Sequence, residues 1–242
     1  MKLIVRTSDS LYLDENRYEN SKESFKFLRN VIAQSFDINR NNVVVSDFGC
    51  AAGELLYYLK ACAPDANLEG FDLLPELIEK ARKNVPEVRF SVGSVLESEM
   101  IEKDHSDVSL LVGVHSIFDE FESCFNNLIE WTKPSGRVYV FGMFNPYPLD
   151  VFVKYSTTEN YTNDTVESGW NIFSTASVSR FLDNHKKVAN HRFIPFEIDI
   201  DLPKHQDDPA RSWTIRDEKG VRTITNGLCL LQPHQILEIV LN

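Results

Sequence analysis

An acid at the end of a β-branched run, followed by small residues, is the arrangement in this chain best suited to ligand chemistry. Val43-Val44-Val45-Ser46-Asp47-Phe48 reads as a strand. Gly49-Cys50-Ala51-Ala52-Gly53 turns it into the helical apolar pattern of Leu55, Leu56 and Leu59. Small residues at a strand-to-helix turn let a ligand lie against bare backbone at the N-terminus of the helix. In open α/β sheets, ligands gather at this carboxyl end of the strands. The neighbouring residues restrict which ligand. A phosphate-cradling loop needs Gly-Lys-Ser/Thr opening the helix, and this chain has Gly53-Glu54-Leu55. A dinucleotide fingerprint needs glycines at places one, three and six; counted from Gly49, those places hold Gly49, Ala51 and Glu54. Glu54 would aim a carboxylate at the pyrophosphate.

S-adenosylmethionine (SAM) carries no phosphate and has a cationic sulfonium, so both acids suit it. Asp47 to Gly53 resembles motif I of the class I SAM-dependent methyltransferases, acid-x-Gly-x-Gly-x-Gly, with Ala51 in place of the middle glycine. The resemblance runs on in register over roughly residues 40 to 145. Leu68-Glu69-Gly70-Phe71-Asp72 reads as the second strand. Asp72 fits the acid that binds ribose hydroxyls roughly 20 residues beyond the glycine turn. Leu73 resembles the family's apolar neighbour of the adenine. Phe90-Ser91-Val92-Gly93-Ser94-Val95 resembles the third-strand motif, with Ser94 where the family usually has Asp. Asp107 to Gly113 reads as the fourth strand, and Lys133-Pro134-Ser135-Gly136 as the turn into the fifth. The resemblance implies SAM as cofactor, S-adenosylhomocysteine as product, and a cofactor site of Asp47, Gly49, Cys50, Ala51, Gly53, Asp72, Leu73, Ser94, Val95 and Gly113.

Methyl transfer from a sulfonium is an in-line displacement, in which alignment can supply about 7–11 kcal/mol. A general base helps when the acceptor is a hydroxyl or protonated amine. His115 is the expected base, because it follows the fourth strand in the loop that faces the methyl group in this family's fold; its ordinary pKa suits that work. The alternative is that it only lines the cofactor or caps the next helix. Tyr147, Tyr155 and Trp170 are the expected walls of the acceptor pocket. They belong to an aromatic-rich stretch that also holds Phe152, Tyr161 and Phe173 and follows Asn145-Pro146-Tyr147-Pro148, where two prolines stop the fifth strand. Tyr12 and Tyr18 read as packing residues. No metal is expected.

The elements that must position these groups follow from periodicity. Strands are predicted at 43–48, 67–72, 88–92, 106–112 and 137–144, and helices at 53–62, 75–84 and 119–132. Alternation at this spacing means parallel strands with right-handed crossovers. Phe25, Leu28, Val31, Ile32 and Phe36 recur at helical spacing behind an Asn20 cap. A helix near 175–184 and strands near 192–200, 212–216, 221–226 and 228–241 complete the chain. The expected fold is a single α/β domain: a doubly wound, mostly parallel seven-stranded Rossmann-like sheet with an antiparallel edge. Within it, residues 1–40 form a helical cover, 41–144 the SAM-binding core, 145–190 a lid insertion and 191–242 the last strands.

The 242 residues suffice for one large domain, and 43% hydrophobic content is ordinary for a globular protein. A net charge of −11, with no run of Lys or Arg, opposes nucleic-acid binding. Cys50, Cys62, Cys124 and Cys229 include no CxxC pair. The polar start and the lack of a long apolar run point to a cytoplasmic location with no membrane contact. The expected function is methylation of a small-molecule or sugar-linked metabolite. The alternative is a non-catalytic, SAM-binding regulatory partner with the same fold.

Overall fold

The computed structural model describes residues 16–156, 166–204 and 211–242. Helix α1 (Glu23–Ser35) precedes an alternating series: β1 (Val44–Phe48), α2 (Glu54–Cys62), β2 (Asn67–Asp72), α3 (Pro75–Asn84), β3 (Arg89–Val92), β4 (Ser106–Val112), α4 (Glu122–Trp131) and β5 (Thr132–Asn145). Short strands β6 (Lys154–Tyr155), β7 (Glu167–Ser168) and β8 (Phe173–Ser174) follow. Then come α5 (Thr175–Asp183), β9 (Val188–Pro195), β10 (Trp213–Arg216), β11 (Arg222–Thr225) and β12 (His234–Leu241).

The main sheet has the order β3-β2-β1-β4-β5-β12-β9, with β8 also paired to β5. Strands β1 to β5 run parallel. Strand β12 is antiparallel to both β5 and β9, so β9 runs the same way as β5. The reversed strand therefore lies one place inside the edge rather than at it. β10 and β11 do not complete the sheet as their sequence suggested; they form a separate two-stranded ribbon. Ile215 of the ribbon and Val221, just before β11, remain exposed.

Both faces of the sheet are covered. Val45, Leu110, Tyr139 and Phe141 pack with Leu28 and Ile32 of α1, Leu56 and Leu59 of α2 and Ile78 of α3. Phe48, Leu111, Val138 and Val140 pack on the other side with Phe125 and Leu128 of α4 and Val178 and Leu182 of α5. The alternation of Val138, Tyr139, Val140 and Phe141 between these layers is the period-two signature of a strand buried on both faces. Helix α1 begins after Lys22, not Asn20, and has no side-chain cap. A hydrogen bond of 2.8 Å between Ser35 Oγ and Tyr139 Oη ties its far end to the sheet. Helix α4 starts at Glu122 rather than 119, because Asp119 is drawn away into an ion pair with Lys154 at 2.6 Å. No helix among the described residues is long and apolar enough to cross a membrane.

Candidate active site

The turn after β1 is built from left-handed residues. Gly49, Ala51 and Gly53 have φ of 77°, 47° and 83°. Ala51 takes a conformation that costs a residue with a Cβ roughly 1–2 kcal/mol, and the surrounding hydrogen bonds hold it there. The N–H groups of Gly49 and Cys50 both donate to Phe71 O, at 2.7 and 3.0 Å. Ala51 N–H donates to Asp72 Oδ2 at 2.9 Å, and Leu74 N–H to Asp72 Oδ1 at 3.0 Å. Tyr18 Oη donates to Ala52 O at 2.7 Å and accepts from Asn84 Nδ2 at 3.1 Å, so Tyr18 buttresses the turn from outside. Tyr12 lies outside the described residues.

A Cβ on Gly49 would lie 2.3 Å from Val114 Cγ2, and one on Gly53 would lie 2.8 Å from Phe90 Cζ. These glycines are required by protein contacts as well as by backbone angles. Gly113 differs: its φ is 77°, yet a Cβ there would meet nothing within 4 Å. It faces open space beside the turn.

Asp47 is buried, and its Oδ1 has no hydrogen-bond partner among the described residues. Burial, with Asp72 adding repulsion, pushes its carboxyl up to about 8. A buried acid of this kind suits a cationic ligand, whose charge would favour the carboxylate. Burial also raises the Cys50 thiol well above its usual range, so Cys50 is a packing residue of the turn. Ser94 Oγ accepts from Leu96 N at 3.2 Å, while Val95 O accepts from the buried Asn127 Nδ2 at 2.8 Å. Those two bonds fix the loop after β3, which Gly93 N–H ties to Asp72 O at 2.9 Å. The residues expected around a cofactor thus come together at the ends of β1 to β4, and their chemistry fits SAM.

The acceptor side departs more from expectation. His115 is fully buried. Its ring stacks on Phe144 at 4.6 Å and lies against Phe125 and Phe173. Burial lowers its pKa to about 4. Its Nε2 sits 3.4 Å from both Met143 O and Ser116 Oγ, and its Nδ1 has no partner among the described residues. The imidazole packs into the aromatic layer under the sheet because Gly142 leaves room for it: a Cβ there would lie 2.2 Å from Cε1.

A cavity of about 760 Å³ opens where Gly113 and Ser116 meet β5 at Phe141 and Met143. Its far wall is the stretch from Phe196 to Pro203 with Ser212 and Ile224 of the ribbon region. The roof is therefore the excursion between β9 and β12, not chiefly the 145–190 insertion. Trp170 does line the cavity, and Tyr155 stacks on Trp170 at 6.3 Å behind it. Tyr147 is 70% exposed and lies outside the lining; Tyr161 is outside the described residues. The insertion is held instead by Asn171, which no local pattern of residues singles out. Its backbone N–H donates to Ser116 O at 2.7 Å, its Nδ2 to Phe118 O at 2.7 Å, and its Oδ1 accepts from Val153 N at 2.8 Å.

His234 also lines the cavity. Its ring stacks on Phe141 at 5.4 Å, and Nδ1 lies 3.0 Å from Gln232 O. A carbonyl only accepts, so Nδ1 carries the proton and Nε2 holds a lone pair. Burial lowers the pKa of His234 to about 4.

Residues 45–136 match the family model described as a methyltransferase domain. The matched segment is similar to the class I SAM-dependent methyltransferases. It spans β1 to the start of β5 and contains every residue expected to hold the cofactor. The carboxy-S-adenosyl-L-methionine synthase of Campylobacter curvus is 29% identical over 147 residues, covering 58% of this chain and 60% of that protein. The chain thus spans about three fifths of that curated relative. Among solved structures, the complex between the Haloferax volcanii Trm112 methyltransferase activator and a candidate methyltransferase gives a TM-score of 0.63 at 16% identity, covering 98% of both chains. Magnesium protoporphyrin IX methyltransferase of Synechocystis PCC 6803, with bound S-adenosylhomocysteine, gives 0.54 at 12% identity, covering 90% and 82%. Geranyl diphosphate methyltransferase gives 0.53 at 13%, covering 89% and 77%. At these identities the structures share the fold with this methyltransferase domain.

Proposed function

We propose that this chain binds SAM across the β1–α2 turn and methylates a small molecule seated in the cavity beside Gly113. The observation that carries the reading is the open face of Gly113, which joins the turn braced by Asp72 to a separate cavity large enough for an acceptor. When bound, SAM supplies an electrophilic methyl group on a cationic sulfur. Asp72 would hold the ribose hydroxyls, and Asp47 would answer the positive charge. Gly113 would leave the methyl group a clear line to the cavity.

The cavity walls would hold the acceptor's nucleophile in line with the methyl group, whose C–S electron pair would stay with sulfur. Any proton released goes to His234 Nε2, since His234 lines the cavity and is neutral at pH 7. His115 is a packing residue in this reading. The walls of the cavity position the acceptor, which is where most of the rate would arise.

The sequence relative favours a second reading, in which the chain modifies SAM itself, as that relative's name describes. Calorimetry with S-adenosylhomocysteine, followed by mass spectrometry of SAM incubated with candidate acceptors, separates the readings. Failure to bind S-adenosylhomocysteine overturns both. A carboxylated SAM product selects the second. Binding without turnover of any acceptor would support a regulatory partner.

A further inference from the structure

Gly113 and Ser116, from the loop after β4, line the same cavity as Trp170 of the insertion. The residue that joins these two segments is Asn171, which is fully buried. Its backbone N–H donates to Ser116 O at 2.7 Å. Its Nδ2 donates to Phe118 O at 2.7 Å and to Asp119 Oδ1 at 3.2 Å. Its Oδ1 accepts from Val153 N at 2.8 Å, which ties in the first limb of the insertion. Backbone pairing closes the two limbs on each other: Val151 bridges Ile172, Gly169 N–H donates to Val153 O at 2.7 Å, and β6 pairs with β7. A primary amide suits this junction because one flat group both donates and accepts. A second tie between loop and insertion, Lys154 to Asp119, joins two exposed side chains, 46% and 62% accessible. Such a pair contributes little against water, whereas the bonds of Asn171 to Phe118 and Val153 are buried.

From this junction we propose that Asn171 is a positioning residue of the acceptor cavity: it makes the loop from Gly113 to Asp119 and the segment carrying Trp170 move as one body, so that a cofactor seated beside Gly113 sets the place of Trp170. Asn171 acts through Ser116 and Trp170 rather than on the reacting atoms. Two ligand sites are then coupled through one rigid unit, and each ligand biases the other's site. The linkage is specific to the amide, because a side chain that cannot both donate and accept leaves Phe118 O or Val153 N–H buried without its partner. The proposal rests on the methyltransferase reading, in which the cofactor's methyl group reaches the cavity past Gly113.

The test uses the full chain labelled with 5-fluorotryptophan. Its 3 tryptophans are Trp131, Trp170 and Trp213, and the fluorine resonance of Trp170 is the one lost in Trp170→Phe. Binding of S-adenosylhomocysteine is measured first by calorimetry; its failure would defeat the methyltransferase reading. On saturation with S-adenosylhomocysteine, the Trp170 resonance should shift in the unmodified chain. Asn171→Ala removes the amide. Asn171→Asp keeps its size and its acceptor for Val153 but sets a carboxylate against Phe118 O, and it serves where the alanine variant does not fold. Either variant should bind S-adenosylhomocysteine within about twofold of the unmodified chain yet lose at least about half of the shift. Lys154→Ala, which removes only the surface tie, should keep the shift. A merely structural role would lower the thermal midpoint of the Asn171 variants and leave the shift in place, and that result overturns the proposal. So does a Trp170 resonance that ignores S-adenosylhomocysteine in the unmodified chain, or an equal loss of shift in Lys154→Ala.

Discussion

The Ala51 amide donates to Asp72 Oδ2 across 2.9 Å, so the acid that ends β2 also holds the turn that follows β1. Its other oxygen takes the Leu74 amide. A carboxylate oxygen has two lone pairs, so it can accept from a ribose hydroxyl as well as from a backbone N–H. Asp72→Asn turns one of these acceptors into a donor facing an N–H group. Affinity for S-adenosylhomocysteine should fall by about 1.5–3 kcal/mol, the range for a hydrogen bond to a charged group. Calorimetry giving an unchanged dissociation constant would remove Asp72 from the cofactor site.

Binding of SAM should release a proton. Asp47 holds its proton up to about pH 8, and a cation beside it favours the carboxylate. Affinity should therefore rise as pH increases towards 8 and level off above it. At pH 7, binding enthalpies measured in phosphate and in Tris should differ by the heat of the released proton. Asp47→Asn should abolish the difference. Equal enthalpies for the unmodified chain would mean that Asp47 does not sense the ligand.

Gly113 separates cofactor space from backbone strain. Gly49→Val cannot, because its side chain would strike Val114. At Gly113 a side chain enters open space, and the only internal cost is its φ of 77°. Gly113→Ala should lower stability by about 1 kcal/mol. Gly113→Leu should cost little more in stability but reduce binding of SAM or acceptor at least tenfold. Full activity in the leucine variant would show that this opening carries no ligand.

His115 and His234 both have native pKa values near 4, below the usual 6.5. Between those values the unfolded chain takes up protons that the native state refuses. Their contribution to stability is thus complete above about 6.5 and lost as pH falls towards 4, at about 1.4 kcal/mol per unit for each. Asp47 acts oppositely, since its raised pKa favours the native state at lower pH, but it is one group against two. Urea midpoints should drop from pH 7 to pH 5. His115→Gln should make that drop shallower and keep methyl transfer within about tenfold. His234→Gln should cost about 10²–10⁴ in turnover if the acceptor is deprotonated. A loss of that size from His115→Gln instead would return the base to position 115.

Three features were legible from the residues alone: the β1 turn, the acid 23 residues after Gly49 (72 − 49), and the alternation that makes a parallel sheet. Each is a local signal: a strand ending in small residues, or apolar residues at period two or 3.6, reports its own backbone without knowing what packs on it. The acceptor side depended on how distant elements pack. His115 was expected as the base because it follows the fourth strand, and it is buried because Gly142, on the neighbouring strand, leaves a gap that its ring fills. Tyr147 looked like a pocket wall and points to solvent, while Arg17, Lys22, Arg211 and His234 meet at one cavity from opposite ends of the chain. Asn171 carries no signal in its own neighbourhood, because its role is defined by Phe118, Ser116 and Val153. A cofactor turn is written in adjacent residues, since backbone angles make it. A cavity is written in none of them, since it is the space left when distant elements pack.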